Sequence, residues 1–214
     1  MYNTLKLSKH PYKWVKHLVN KELGGCGVLE FSKYNYVPRT INDYRYEFKL
    51  NLPDFNEKSI NYIISNLEPG LELAINSRVS NSNAILHIPM IDFGIKLNTS
   101  IPVDTLLKFV KYWNMNFILF SSGRSYHAYG DRLLEQNEWI NFMGSLLLIN
   151  IPGERKLIDD RWVGHRLLAG YSSLRWSNNT SHYKKYPSRS GFLTHDNLYI
   201  NESNSINMDY YFNY

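Results

Sequence analysis

A polar segment, Ser-Ser-Gly-Arg-Ser-Tyr-His, occupies residues 121–127 directly after the apolar run Phe-Ile-Leu-Phe. Side chains at the end of a buried strand are held by the rigid part of a domain, which suits a binding site. Gly123 permits a tight turn whose backbone N–H groups can form an anion-binding nest. The segment therefore predicts a phosphate site, although an ordinary hairpin turn with a hydrogen-bonded histidine fits the same spacing. The residues predicted to bind the phosphates are Ser121, Ser122, Arg124, Ser125 and His127.

Carboxylates lie on both sides of this segment in the sequence. Asp92 stands in the otherwise apolar run 84–93, where an ionised carboxylate costs several kcal/mol unless it is paired, hydrogen-bonded or bound to a cation. Capping of the following loop is the alternative role for Asp92. Asp159 and Asp160 begin a predicted helix, where one of them is expected to cap the helix and the other to be available for chemistry. Carboxylates and basic groups are what nucleotidyl transfer with Mg²⁺ or Mn²⁺ requires.

The order of these features resembles the three motifs of the archaeo-eukaryotic primase superfamily. A carboxylate-bearing strand is followed by Ser-x-x-x-Ser-x-His, and then by a hydrophobic residue and Asp with an Arg-bearing strand downstream. The resemblance spans residues 84–187. It implies that His127 contacts the phosphates of an incoming nucleotide, that Arg175 faces the nucleotide, and that Asp159 or Asp160 is the third-motif aspartate. The first motif of the family is usually Asp-x-Asp, whereas this chain has Asp92-Phe93-Gly94, so one carboxylate is absent.

This resemblance implies a primase and polymerase activity, that is, a metal-dependent nucleotidyltransferase that binds a nucleoside triphosphate and single-stranded or primed nucleic acid. The implied cofactor is Mg²⁺ or Mn²⁺, held by Asp92 and Asp160, and the implied partner is a helicase or another replication or defence subunit. The residues implied in catalysis are Asp92, Asp159, Asp160 and His127. The absent carboxylate favours an alternative, a catalytically degenerate primase-like subunit that binds nucleotide or nucleic acid in a mobile element, phage or defence system. A phosphoesterase is a third possibility for the same carboxylates.

Composition narrows the class of protein. The chain has 214 residues, of which 43% are hydrophobic, and this favours a folded domain over a disordered chain. It lacks a run of about 20 apolar residues and the features of a secretory signal, so we expect a soluble, cytoplasmic protein that does not bind a membrane. Cys26 is the single cysteine, which excludes an intramolecular disulfide and a cysteine-based zinc cluster.

The net charge of +5 favours a polyanionic partner such as nucleic acid. A basic cluster near the C-terminus lies among tyrosines and is predicted to follow a nucleic-acid backbone, with a solvated surface as the alternative. The residues of this predicted cluster are Lys184, Lys185 and Arg189.

Periodicity predicts helices over residues 11–23, 57–66, 102–113, 133–149 and 159–169, and strands over 26–31, 44–50, 84–93, 116–121, 126–129 and 174–176. Residues 76–83 are predicted to be a polar connector, and residues after 176 a polar, basic tail. The pattern indicates an α+β fold of primase-polymerase-like type, with helices packed on a mixed central sheet. We expect an N-terminal α/β unit over 1–83, a catalytic-like core with the three motifs over 84–200, and a C-terminal tail over 201–214.

Overall fold

The computed structural model describes residues 7–82, 84–97, 99, 101–183 and 185–200. Lys184 and the predicted tail, 201–214, therefore lie outside the described residues. The helices are α1 (Pro11–Leu23), α2 (Glu57–Ser65), α3 (Val103–Trp113), α4 (Gln136–Leu147) and α5 (Asp160–Ala169), with short 3₁₀ helices at Leu7–Lys9 and Leu52–Asp54. The strands are β1 (Val28–Tyr34), β2 (Arg45–Asn51), β3 (Glu72–Ser80), β4 (Ile85–His87), β5 (Met90–Asp92), β6 (Phe117–Ser121), β7 (Tyr126–Gly130), β8 (Leu134–Glu135), β9 (Ser173–Arg175), β10 (Ser188–Leu193) and β11 (Leu198–Ile200).

The predicted α+β class is confirmed, but the strands form two sheets rather than one mixed sheet. The first sheet has the order β2-β1-β3-β4-β8, with β9 paired to β3, and the second has the order β11-β10-β6-β7-β5. Each strand pairing among the described residues is antiparallel. Strands β10 and β11 complete the second sheet, so the prediction of a tail without strands after residue 176 was wrong.

The chain passes between the two sheets at Ile88 and Pro89. A single strand was predicted over residues 84–93, but the structure divides it into β4 in the first sheet and β5 in the second. Proline has no N–H to give to a strand ladder, so pairing stops at Pro89. The Ile88 N–H donates to Ser77 in the first sheet (2.8 Å), and the Pro89 carbonyl accepts from Gly130 in the second (3.0 Å). One proline thus sends Asp92 into a different sheet from His87.

Strand β3 corrects the prediction of a polar connector at residues 76–83. It lies inside the first sheet, between β1 on one side and β4 and β9 on the other. Asn76 and Ser77 are fully buried there, and remote side chains bond to the Asn76 Oδ1 and the Ser77 Oγ. The Asn76 Oδ1 accepts from the hydroxyls of Ser32 and Ser173, both at 2.9 Å, and the Ser77 Oγ bonds to the His87 Nδ1 at 2.9 Å. Their partners are distant in sequence, so a polar stretch became a central strand.

The second sheet is buried on both faces, which explains the continuous apolar run in β6. Successive side chains of a strand point to opposite faces. Ile118 and Phe120 pack with α1, α2 and the first sheet, while Phe117 and Leu119 pack with α3 and α4. The segment 121–127 therefore extends from a strand fixed by two hydrophobic cores.

We expect Phe120→Ala to lower the free energy of unfolding by about 3–5 kcal/mol, because it leaves a cavity beside Tyr129, whose ring lies 5.6 Å from that of Phe120. Urea denaturation of wild type and variant would measure the change. Leu168→Ala is the control, since Leu168 is 81% exposed, and it should change the same quantity by less than about 0.5 kcal/mol. Equal losses from the two variants would contradict the doubly buried position of β6.

Candidate functional site

A cleft of about 440 Å³ lies where the two sheets and the start of α5 meet. Its walls come from the β1–β2 loop, the end of β5, the β6–β7 turn, β9 and the segment 182–183. Most of the residues predicted to form a site line this one cleft: Asp92, Ser122, Arg124, Ser125, His127, Asp159 and Arg175. These predicted residues lie up to 83 positions apart in sequence, from Asp92 to Arg175, and the fold brings them together.

Asp92 and His127 face each other across the β5–β7 pairing. The Asp92 Oδ1 lies 3.8 Å from the His127 Nε2. Burial and the nearby Arg175 lower the pKa of His127 to about 3, so the imidazole is neutral at physiological pH. The His127 Nδ1 is buried and has no hydrogen-bond partner within the described part of the chain. A neutral, buried imidazole can donate one N–H to a ligand oxygen without adding a charge.

Asp159 is brought beside Asp92 by a short backbone pairing. Phe93 and Ile158 form an antiparallel bridge, and the Asp159 N–H donates to the Asp92 carbonyl at 3.0 Å. Gly94 permits this approach, since a Cβ there would lie 3.3 Å from the Ile158 carbonyl group. Burial and the Asp159 carboxylate together raise the pKa of Asp92 to about 8, against the opposing charge of Arg175. The site therefore favours either a proton or a cation at Asp92.

The structure separates the two aspartates that begin α5. Asp159 caps the helix by accepting from the Trp162 N–H at 3.0 Å, and it also lines the cleft. The Asp160 side chain is 38% exposed and pairs with Lys156 outside the cleft. The residue that caps the helix is thus the one that lies beside Asp92, and Asp160 is directed to the surface.

The serines of residues 121–127 mainly build the turn. Ser121 pairs with Tyr126 at the end of β6, and the Ser122 N–H donates to the Ser125 carbonyl at 2.8 Å. Ser125 donates its hydroxyl to the Phe93 carbonyl, which ties the turn to the end of β5. Gly123 has a φ of 108°, a conformation that favours glycine. Because the Ser122 N–H is used inside the turn, it is not part of the predicted nest.

Two arginines link this turn to the segment that follows β9. The Arg124 Nη2 lies 2.7 Å from the His182 Nε2 at the cleft rim. Arg175 is 4% exposed and donates to the carbonyls of Ser122, Ser177 and Lys185. Arg175 therefore holds the turn against the segment that follows β9, and its charge acts on His127 and Asp92.

The predicted basic cluster does not converge on the cleft in the described residues. Lys185 is exposed, and its backbone carbonyl accepts from Arg175 at 3.2 Å. Arg189 lies on β10 and lines a separate groove with Lys9 and Lys13. Lys184 lies outside the described residues.

A family model described as AEP-like, archaeo-eukaryotic primase 1D-like, matches residues 51–188, which is more than half of the chain. The chain belongs to this AEP-like family. The predicted relation to the archaeo-eukaryotic primases is therefore confirmed, and the match includes Asp92, His127, Asp159 and Arg175. Comparisons with curated proteins and with solved structures give no match. AEP-like proteins generally use divalent metals, and the family relation supports primase-like nucleotidyl transfer and nucleic-acid binding.

The donor set of this AEP-like chain fits a divalent cation that is held mainly by the phosphates of a bound substrate, with few ligands from the protein. Among the residues that the structure describes, no three His, Cys, Asp or Glu side chains are grouped to hold a metal ion. Mg²⁺ is commonly bound through one or two carboxylates, with substrate phosphates and water completing its shell. Asp92 and Asp159 supply two carboxylates, and the raised pKa of Asp92 indicates that positive charge is favoured there.

In the described residues, no helix combines the length and apolarity needed to cross a membrane.

Sequence reasoning missed several cleft residues on the β1–β2 side: Asp43, Arg45, Arg161 and Arg166. Asp43 lies two positions before Arg45, the first residue of β2, and this spacing places two side chains on one side of an extended chain. That alternation was the available signal. No signal in the sequence marked Arg166 as a cleft residue, because an arginine on a helix usually faces solvent.

The raised pKa of Asp92 predicts an acid-dependent gain in stability. Its folded pKa of about 8 exceeds the ordinary value of 3.8, so the free energy of unfolding should fall as pH rises from about 4 to 8 in the presence of a chelator. Asp92→Asn should remove this fall. The free energy of unfolding of Asp92→Asn minus that of wild type should therefore be about 2–4 kcal/mol larger at pH 8 than at pH 4. Urea denaturation across this range measures it. Asp104→Asn, an exposed site on α3, is the control, and a wild-type slope retained in Asp92→Asn would contradict the assignment.

Proposed function

We propose that this chain is a primase-like nucleotidyltransferase that binds a nucleoside triphosphate and a nucleic-acid strand in the cleft. The observation that supports it is the convergence of Asp92, Asp159, His127 and Arg124 in one cleft of an AEP-like chain. The four residues supply the two carboxylates, the neutral donor and the cation that a triphosphate with its metal would engage.

The residues have distinct roles in this proposal. Asp92 and Asp159 would hold one Mg²⁺ or Mn²⁺ ion, which when bound neutralises phosphate charge and activates the attacking 3′ hydroxyl. The cap bond to Trp162 and the backbone bridge at Phe93 fix the two carboxylates before a ligand arrives. His127 donates to a phosphate oxygen as a neutral imidazole, and Arg124 contributes charge from the rim. Arg175 is a positioning residue, because its Nη1 and Nη2 groups donate to backbone carbonyls.

A second candidate, a binding module without turnover, is favoured by the geometry at the absent carboxylate. In an Asp-x-Asp motif that begins at Asp92, the second carboxylate would stand at Gly94. A Cβ at Gly94 would lie 3.3 Å from the Ile158 carbonyl group and 3.4 Å from the Asp159 nitrogen, which is a tight contact with backbone. In a motif that ends at Asp92, the first carboxylate would replace Met90, which is fully buried. Either way the chain cannot take a second carboxylate without local rearrangement, and one metal ion would be held less firmly.

We expect wild type to bind a fluorescent nucleoside triphosphate in the presence of Mn²⁺, and Arg124→Gln to weaken that binding about tenfold to a hundredfold, because a charge-assisted hydrogen bond is lost. Fluorescence anisotropy measures the dissociation constant. Lys58→Gln removes the same charge from exposed α2, outside the cleft, and should change the constant less than about twofold. Equal effects of the two variants would contradict a triphosphate site at the turn.

Turnover distinguishes the two candidate functions. Primer synthesis and extension with Mg²⁺ or Mn²⁺ by wild type, lost by at least about a hundredfold in Asp92→Ala, would support the enzyme, because Asp92 would hold the metal. Gel analysis of labelled products measures it, and Asp104→Ala is the matched carboxylate control. Binding without incorporation by wild type would instead support the binding module. Absence of both would reject the proposed function.

A further inference from the structure

A cluster of two arginines around one carboxylate occupies the β1–β2 side of the cleft. The Arg45 Nε donates to the Asp43 Oδ2 at 2.8 Å, and the Arg166 Nη2 donates to the same oxygen. Arg45 also donates through its Nη1 to the hydroxyls of Ser173 at 3.0 Å and Ser32 at 3.2 Å. We call Arg45, Asp43 and Arg166 the arginine cluster. One carboxylate therefore serves two guanidinium groups.

Arg166 keeps unused donors on the cleft wall. Its side chain is 1% exposed, and within the described residues its Nε and Nη1 have no hydrogen-bond partner. Burial lowers the pKa of Arg166 to about 10, so it still carries its charge at physiological pH. A buried cation with unsatisfied donors is costly, so such donors are expected to be completed by water, an ion or a ligand. Arg166 lines the same cleft as Asp92 and Arg124.

The charges around this cleft favour an anion. Its described lining carries seven Arg and Lys side chains and three carboxylates, those of Asp43, Asp92 and Asp159. Clefts lined mainly by one sign of charge concentrate ligands of the opposite sign. The planar guanidinium matches phosphate oxygens in a bidentate manner, so phosphate is the chemistry that fits best.

We propose that the arginine cluster is a second phosphate subsite, separate from the turn at Arg124, and that Asp43 occupies it as an internal anion which a phosphate group displaces. A phosphate offers more acceptor oxygens than a carboxylate, so in place of Asp43 it can accept from the Arg166 Nη2 and from one of the two unused donors, Nε or Nη1, and also from Arg45. Asp43 lies in the irregular loop between β1 and β2, so its release breaks no strand pairing. The phosphate belongs to a nucleic-acid strand or to a nucleotide, and for this choice the inference rests on the proposed function.

Inorganic phosphate is the first probe. Phosphate raises the thermal unfolding midpoint when it binds, and its dissociation constant is obtained from that rise, measured relative to chloride at equal ionic strength. We expect Asp43→Asn to bind phosphate about tenfold more tightly than wild type, because the competing carboxylate is gone. The double variant Asp43→Asn/Arg166→Gln should lose this gain, and Asp43→Asn/Arg124→Gln should keep it. Asp104→Asn is the charge-matched control for Asp43→Asn, and Lys58→Gln is that for the arginine changes.

The Asp43→Asn arm is a gain of affinity, so misfolding cannot imitate it, and the midpoint without phosphate shows whether each variant folds. Absence of the gain in Asp43→Asn would overturn the subsite. Retention of the gain in the double variant with Arg166→Gln would overturn it equally.

The source of the phosphate is then decided with a fluorescent single-stranded oligonucleotide and a fluorescent triphosphate, each titrated into wild type and Asp43→Asn. Tighter binding of the oligonucleotide alone by Asp43→Asn assigns the subsite to a nucleic-acid strand. Tighter binding of the triphosphate alone assigns it to nucleotide phosphates. No change for either ligand overturns the link to the proposed function. Failure of the proposed function itself shows differently, as an absence of both triphosphate binding and incorporation by wild type.

Discussion

The guanidinium of Arg175 joins the two sheets of this protein at the place where its cleft forms. Arg175 belongs to β9 in the first sheet, and its donors reach the carbonyl of Ser122 in the turn of the second sheet and that of Lys185 in the following segment. A buried cation requires such partners, so the position of the turn and the charge of the cleft are set together. The same charge helps to keep His127 neutral and partly opposes the protonation of Asp92. Removing the guanidinium would leave these carbonyl groups without their donor, and removing a carbonyl group would leave the buried cation with an unused donor.

Local patterns predicted the features that depend on neighbours in sequence. Helices α1, α3 and α5, the apolar strand β6 and the turn at Gly123 follow from periodicity, caps and glycine, and they agree with the structure to within a few residues. The predicted convergence of Asp92, Arg124, His127 and Arg175 on one cleft followed from a family resemblance, not from spacing alone. Motif order carries that information because the fold returns these segments to one place.

Features that depend on remote partners were missed. Residues 76–80 of β3 appeared to be a connector because the groups that bond to the Asn76 Oδ1 and the Ser77 Oγ come from Ser32, His87 and Ser173. Arg166 appeared to be a surface residue because its carboxylate, Asp43, stands 123 residues away in sequence. The choice between Asp159 and Asp160 was also beyond local reasoning. Capping was expected to use one aspartate and leave the other, whereas the structure gives Asp159 both the cap and the cleft, because the bridge between Phe93 and Ile158 carries it there.

The proline that sends the chain from one sheet to the other also sets where the cleft is least able to move. Only Ile88 and Pro89 separate β4 from β5, and hydrogen bonds tie these two residues to both sheets. Residues 131–133, between β7 and β8, form a second short link beside it, so a change in the angle between the sheets would turn about these two adjacent links. Asp92 lies three residues beyond Pro89, next to these links, whereas Asp43 lies in the loop between β1 and β2 and is held by the side chains of Arg45 and Arg166. The carboxylate next to these links suits a fixed point for chemistry, and the carboxylate in the loop between β1 and β2 suits one that phosphate can displace.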